Sequence, residues 1–403
     1  MKLAIVFDSE PNSGGGFYQS LKTMDTLCKN IKENFQFQII STNLLLQKDI
    51  EKKGYKSILF NKKWAHFYFR INSSKFLNFF FKKFKIKNPF SEFLRKNNID
   101  LVYFLGLSSL INLCDEHNFV VNIYDLNHRL DNLFPEYKKN VIDDREELFL
   151  NCINKSFKII LDTDRTKDEM ELIYRCPKDK IEVVPFNTSL PDLYENNKDS
   201  ILNKINLNKF NFLEGAENFF YPAQFWAHKN HIYIIEAANF LKKKNVNFNI
   251  IFCGSNKGNL NFIKEEIRIY GLDKNIKIFN FLLDEEVIYL YLKASAIIIP
   301  TYVARSTLPL YESFYFKKTI FYSQEVLDKK LEDLVIPVDL KNPKDLAEKL
   351  EYFIHNKNHE TNSKRIINAR NYFNLYCNEK NISDKIYKIF EEYKYLRKRW
   401  VKN

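Results

Sequence analysis

Tyr221-Pro-Ala-Gln-Phe-Trp-Ala-His-Lys-Asn-His231 reads as the end of a strand, a short loop and the start of a helix. An acidic stretch, residues 214–217, precedes it, and an amphipathic run, residues 232–244, follows. A turn of this kind sets backbone N–H groups and the positive end of a helix where an anion can sit. Lys229 arrives there with His228 and His231, which makes the loop a candidate phosphate grip. A polar loop that only caps a helix is the plainer alternative.

The alternation of strand and helix extends from this loop in both directions. Downstream, apolar runs at 248–253 (ending at Gly254), 276–279 and 296–299 predict strands, with helices over 259–270 and 284–294 between them. Upstream, strands are expected at 2–7, 35–41, 57–60, 99–104, 119–124, 158–161 and 181–185, and at 219–223 just before the loop itself. The first of these, ending at Asp8, is followed by the glycine-rich residues 13–17, with Gly15 and Gly16, and then by a periodic segment over 18–31. The glycines allow close backbone approach, but the pattern is not G-x-G-x-x-G, so a dinucleotide site is not supported. Strands alternating with helices mean right-handed βαβ units on parallel sheets. The expected fold class is therefore α/β, with two Rossmann-like doubly wound domains facing across a cleft.

Length agrees with two domains: 403 residues exceed one ordinary core, and 45 % hydrophobic residues suffice for two. Residues 191–212, rich in Asn, Asp and Lys, read as the linker between a domain at 1–190 and one at 213–380. Six cysteines lie far apart with no C-x-x-C spacing, which argues against a zinc knuckle or a disulfide framework and suits a reduced, cytoplasmic setting. The first apolar run is too short for a signal peptide, and no uncharged apolar stretch reaches the roughly 18 residues of a membrane span.

The formal net charge is +12, which can attract nucleic acid or anionic lipid or reflect a general richness in lysine. Residues 62–87 interleave aromatics with Lys and Arg. This suits a helix lying on an anionic membrane surface; a core-facing helix with solvated lysines is the alternative, and a nucleic-acid partner is not expected. The basic end, residues 394–403, can also reach lipid head groups.

Two further stretches bear on chemistry. Phe119–Tyr124 as a strand would end in Asp125-Leu-Asn-His128-Arg129, and ligands sit beyond the carboxyl ends of parallel strands, so Asp125 and His128 are candidates to face a cleft. Pro300-Thr-Tyr-Val-Ala-Arg-Ser-Thr-Leu-Pro-Leu-Tyr-Glu312 reads as a strand end, a loop with Ser306 and Thr307, and a helix starting near Leu308. The loop N–H groups at that helix start can hold a diphosphate, and Glu312 can accept hydrogen bonds from two ribose hydroxyls.

These pieces together resemble a family-four retaining glycosyltransferase of the GT-B fold, group 1 type, in the branch carrying F-W-x-H-K-N-H. The likeness rests on Phe225–His231, the strand end at Gly254, Leu290/Tyr291 with Ala294–Ala296, and Pro300–Glu312, supported in the amino half by Asp125–Arg129, Phe134–Glu136, Asp162–Asp164 and Tyr174. It implies that Lys229 holds the donor's phosphates and that Glu312 is the second glutamate of E-x7-E, the ribose ligand. Gln224 stands where many members have arginine. Ala304 stands at the first glutamate, with backbone contacts from the loop Arg305-Ser306-Thr307 expected instead, and the Leu308 amide is expected to bind the donor. The family's cleft histidine falls at Tyr124, leaving His128 as a candidate substitute, and Gly15 and Gly16 match the glycine loop near donor and acceptor.

The resemblance also implies an amino-terminal acceptor-side domain, a carboxy-terminal nucleotide-sugar domain, and a terminal helix over 381–403 crossing back to the first domain. The expected activity is retaining transfer of a sugar from a UDP- or GDP-sugar to a glycan or lipid-linked acceptor, as in lipopolysaccharide, O-antigen or capsule assembly. It is expected to need no cofactor and no metal, and to occur in the cytoplasm or on the inner face of its membrane. A GT-B nucleotide-sugar 2-epimerase and a non-catalytic nucleotide-sugar-binding homologue remain open.

Overall fold

The computed structural model describes residues 1–11, 14–72, 87–198, 200–357 and 359–399. The chain divides into two compact units: residues 1–129, 139–187 and 379–403 form the first, and residues 130–138 and 188–378 the second.

The first unit is built on β1 (Lys2–Phe7), β2 (Gln36–Ser41), β3 (Ser57–Leu59), β4 (Leu101–Phe104), β5 (Phe119–Asn122), β6 (Lys158–Leu161) and β7 (Ile181–Val183). They make one parallel sheet in the order β3-β2-β1-β4-β5-β6-β7. The central strand is a continuous apolar run because both of its faces are covered. Leu3, Ile5 and Phe7 enter one layer with Met24, Leu27, Ile386 and Phe390, while Ala4 and Val6 enter the opposite layer with Phe104 and Phe149. Full burial of a large apolar side chain stabilises by ~1.5–3 kcal/mol, so each layer alone is a substantial core. The helix Glu379–Arg397 belongs to this unit, where Tyr387 donates a hydrogen bond to the Leu27 carbonyl at 3.0 Å.

The second unit has β8 (Glu217–Pro222), β9 (Phe248–Cys253), β10 (Ile276–Phe279), β11 (Ala296–Ile299), β12 (Thr319–Ser323) and β13 (Ile336–Val338). These also form one parallel sheet, in the order β10-β9-β8-β11-β12-β13. In each sheet the strand order reverses beside the first strand, between β1 and β4 and between β8 and β11. In open α/β sheets that point is where ligands bind.

Residues 191–212 are not a linker. The helix Leu190–Asn197 and two short 3-10 turns fold onto the second unit. Phe210 stacks at 5.2 Å from both Phe279 and Tyr289, and Lys209 pairs with Glu286 at 2.8 Å. The chain changes unit at Asn187–Thr188, and residues 130–138 lie with the second unit although they interrupt the first. All six cysteines are free thiols, and among the described residues no helix is long and apolar enough to cross a membrane.

Candidate active site

In the second unit, the loops that leave β8 and β11 stand side by side, because these two strands are hydrogen-bonded neighbours (Ala296 opposite Phe219). The β8 loop closes as one 3-10 turn, Ala227–Lys229, and Asn230 takes a left-handed conformation (φ 57°) that starts the helix His231–Lys243. Tyr221 reaches under the turn and donates to the Lys229 carbonyl at 2.9 Å. His231 is fully buried between the rings of Tyr221, Phe225 and Phe252. That burial pushes its imidazole down to about 3, aided by the Lys229 charge, so it is a neutral packing group that anchors the turn.

Gln224 is held by its neighbours: its amide donates to Ser255 Oγ at 2.9 Å and accepts from Trp226 Nε1 at 3.0 Å. Gly254 serves the same corner. A Cβ there would lie 2.3 Å from the Ala223 carbonyl oxygen, so only glycine lets the β9 end approach the backbone that precedes Gln224.

The β11 loop is tied to the β8 turn through the His228 carbonyl, which accepts from the Tyr302 N–H at 3.0 Å and the Thr301 hydroxyl at 3.3 Å. Ala304 is left-handed at φ 78°, a conformation that costs a non-glycine residue on the order of 1 kcal/mol. Thr307 then caps the helix Leu308–Tyr315, its hydroxyl accepting from the Leu310 N–H at 3.3 Å. Ser306 and Thr307 are buried and Leu308 is half-buried, so this loop contributes mainly backbone and the positive end of a helix.

One turn into that helix, Glu312 is 7 % exposed. Tyr291 donates to its Oε2 and Thr188 to its Oε1, each at 2.7 Å. Burial raises this carboxyl to about 6; the two hydrogen bonds pull the other way.

Residues 130–138 close on the same loops. Glu136 pairs with His228 Nδ1, Asp131 with Arg305 at 3.3 Å, and Phe134 packs 5.6 Å from Tyr302 and 6.1 Å from His228.

In the first unit, Gly14 (φ 137°) opens the helix Gly15–Lys29, and Gly16 lies against the Tyr124 ring, which a Cβ would meet at 3.5 Å. Tyr124 bonds to the Leu105 carbonyl and lies 2.8 Å from Ser20 Oγ.

Of the two residues expected to face a cleft, Asp125 keeps a partly exposed carboxylate and His128 is buried. His128 is fully buried, its Nε2 lies 3.2 Å from Glu146 and 3.3 Å from the Tyr174 hydroxyl, and its ring packs 4.7 Å from Phe149. Burial lowers it to about 4; it is a neutral core residue and offers no exposed nitrogen to a substrate. Asp125 accepts from the Asn127 N–H at 3.0 Å and from Arg145 at 2.8 Å, so its carboxylate fixes a short helix.

Sequence reasoning passed over Asp8. At the carboxyl end of β1 it accepts from the Thr42 and Ser108 hydroxyls and the Lys62 ammonium, each at 2.6 Å. Its signal was an acid closing an otherwise apolar run.

Two doubly wound parallel units, with the loops described above at the switch point of the second, make the GT-B fold. Residues 203–372 match the model of the glycosyl transferases group 1 family. Among solved structures, a glycosyltransferase from Rickettsia africae ESF-5 aligns with a TM-score of 0.72 at 17 % identity, covering 97 % of this chain and 98 % of that one. Anabaena Alr3699/HepE in complex with UDP-glucose aligns at 0.70 and 11 %, covering 97 % and 100 %. WaaG, a glycosyltransferase involved in lipopolysaccharide biosynthesis, aligns at 0.65 and 15 %, covering 95 % and 99 %. At these identities the structures speak for the fold. No curated protein matches the chain.

Proposed function

We propose that the chain transfers a sugar from a UDP- or GDP-sugar to a hydroxyl of a glycan or lipid-linked acceptor, with retention of anomeric configuration. The observation that carries this reading is the convergence at one switch point. The turn bearing Lys229 and the helix start bearing Ser306, Thr307, Leu308 and Glu312 leave adjacent strands on the same edge of one sheet. A cation and a helix N-terminus suit a diphosphate, and a buried carboxylate one turn further along suits the ribose. The Anabaena relative, with its UDP-glucose, supports the choice of donor class.

In this reading the bond between C1 and the diphosphate oxygen breaks as the acceptor oxygen bonds to C1 from the same face. The acceptor proton leaves with the diphosphate. Lys229 and the amides of residues 306–310, Pro309 excepted, stabilise the charge gathering on the leaving group, which is the main electrostatic task. Ala304 offers no carboxylate for a covalent intermediate. The acceptor side falls to the first unit, with the Gly15–Gly16 loop, and the setting is the inner face of the cytoplasmic membrane in surface-polysaccharide assembly.

Calorimetry with UDP and GDP tests the donor site: Lys229→Ala should abolish binding, and unchanged binding removes the assignment. Transfer assayed with a chelator present should continue; a loss rescued by Mn²⁺ refutes metal independence. Sugar epimerised without any acceptor would indicate an isomerase instead.

A further inference from the structure

We propose that Arg305 is a second cationic grip on the donor's diphosphate, and that Asp131 is the counter-ion it releases when the donor binds. This rests on the donor site proposed above. A diphosphate carries at least two negative charges, and a single lysine leaves part of that charge unmatched. Gln224, where a second cation is expected, is neutral, and its amide is tied to Ser255 and Trp226.

Arg305 stands three residues before the start of the helix Leu308–Tyr315, on the loop that is hydrogen-bonded to the His228 carbonyl beside Lys229. Its side chain is only 9 % exposed. A guanidinium cannot discharge itself by losing a proton, so in such a place it needs an anion. In the structure that anion is Asp131, at 3.3 Å and itself 27 % exposed, on the nine-residue strap 130–138.

The same strap places Glu136 on His228. Two carboxylates of one short segment thus sit on His228, beside Lys229, and on Arg305 of the neighbouring loop. Carboxylate and phosphate oxygens are interchangeable partners for a guanidinium fork. The strained backbone at Ala304 (φ 78°) turns the chain immediately before Arg305, and strain of this kind collects at ligand-binding loops. A partly exposed aspartate is displaceable, and the incoming diphosphate restores the lost ion pair.

The experiment is calorimetric titration of the full chain with UDP and UMP, and with GDP and GMP. Arg305→Gln should weaken diphosphate binding by about tenfold or more, the effect of losing a charge-assisted contact, while leaving monophosphate binding within about threefold of wild type. Arg305→Lys should recover part of the loss. Asp131→Asn should tighten diphosphate binding, since the competing carboxylate is gone.

A purely structural ion pair predicts otherwise, with both partners' variants losing thermal stability and neither discriminating diphosphate from monophosphate. Wild-type UDP and GDP affinity in Arg305→Gln, or equal weakening by Asp131→Asn, overturns the proposal. If Arg305→Gln does not fold, the opposite signs expected for Arg305→Lys and Asp131→Asn decide it. Lys229→Ala separates the levels. If that variant binds like wild type, the donor site itself is wrong; if it loses binding while Arg305→Gln does not, only the role of Arg305 is lost.

Discussion

Replacing Glu312 by Gln should change how the protein's stability responds to pH. Glu312 is buried, both of its oxygens accept hydroxyl hydrogen bonds, and its carboxyl titrates at about 6 where 4.5 is ordinary. At 1.36 kcal/mol per unit, that difference of about 1.5 units is a penalty of about 2 kcal/mol on the ionised form in the fold. The folded state binds the proton more tightly than the unfolded state, so the contribution is fully present below the unfolded value and is lost as pH rises through about 6. Glutamine has no proton to lose. Between about pH 4.5 and about pH 7.5 the stability of Glu312→Gln relative to wild type should therefore improve by about 2 kcal/mol.

Urea denaturation across that range measures it. Burial pushes His231 down to about 3 and His128 down to about 4. Those groups make both proteins less stable as pH falls below the ordinary histidine range, so the difference between the two curves isolates Glu312. Parallel curves would refute the reasoning, because they would mean that the carboxylate ionises as freely in the fold as out of it.

The remaining predictions concern packing and partners. Gly254→Ala drives a Cβ to 2.3 Å from the Ala223 carbonyl and should cost about 1–3 kcal/mol, the usual price of overpacking; an unchanged melting temperature would show that the corner yields. Trp64 and Phe67 are 55 % and 51 % exposed and stack at 5.3 Å on the helix Lys62–Asn72. Wild type should float with anionic vesicles and Trp64→Ser/Phe67→Ser should float less. Wild type that stays unbound leaves the aromatic–lysine pattern without a membrane role.

Much of the fold was legible because parallel strands are covered on both faces and so read as unbroken apolar runs, as Phe248–Cys253 does. The expected runs at 2–7 and 296–299 coincide with β1 and β11. β12 escaped notice: Thr-Ile-Phe-Tyr-Ser begins only four residues after the helix Leu308–Tyr315 ends, so the two apolar stretches run together. The helix Glu360–Tyr376 escaped because it is polar on nearly every face, with Asn362, Ala369 and Phe373 its buried residues. Residues 191–212 looked like a linker because Asn and Lys dominate; Ile201, Ile205 and Phe210, which decide their placement, are too few to show as a period.

At the site, local motifs found the loops around Lys229 and Thr307, since a strand–loop–helix turn is a local event. His128 was misjudged because its burial comes from Glu146, Phe149 and Tyr174, residues well away from it in the chain. Nothing near Asp131 or Glu136 in sequence announces Arg305 and His228 as their partners. Segment 188–378 is not cut whole from the chain by one boundary, and the basic tail 394–403 was read only by its charge. In the structure Lys394 lies over the Phe35 ring at 5.5 Å, and Arg399 over the Tyr395 ring at 4.4 Å; residues 400–403 are outside the described residues.

The strap has a consequence for anyone recombining such enzymes. A chimera joined at Asn187–Thr188 inherits Asp131 and Glu136 from one parent and the His228 and Arg305 they hold from the other. Two more junctions, around residues 130 and 138, are needed to carry the acids with their bases, and another near Glu379 to return the terminal helix to its own sheet. In this chain the natural cassette is discontinuous, and a single crossover mixes it.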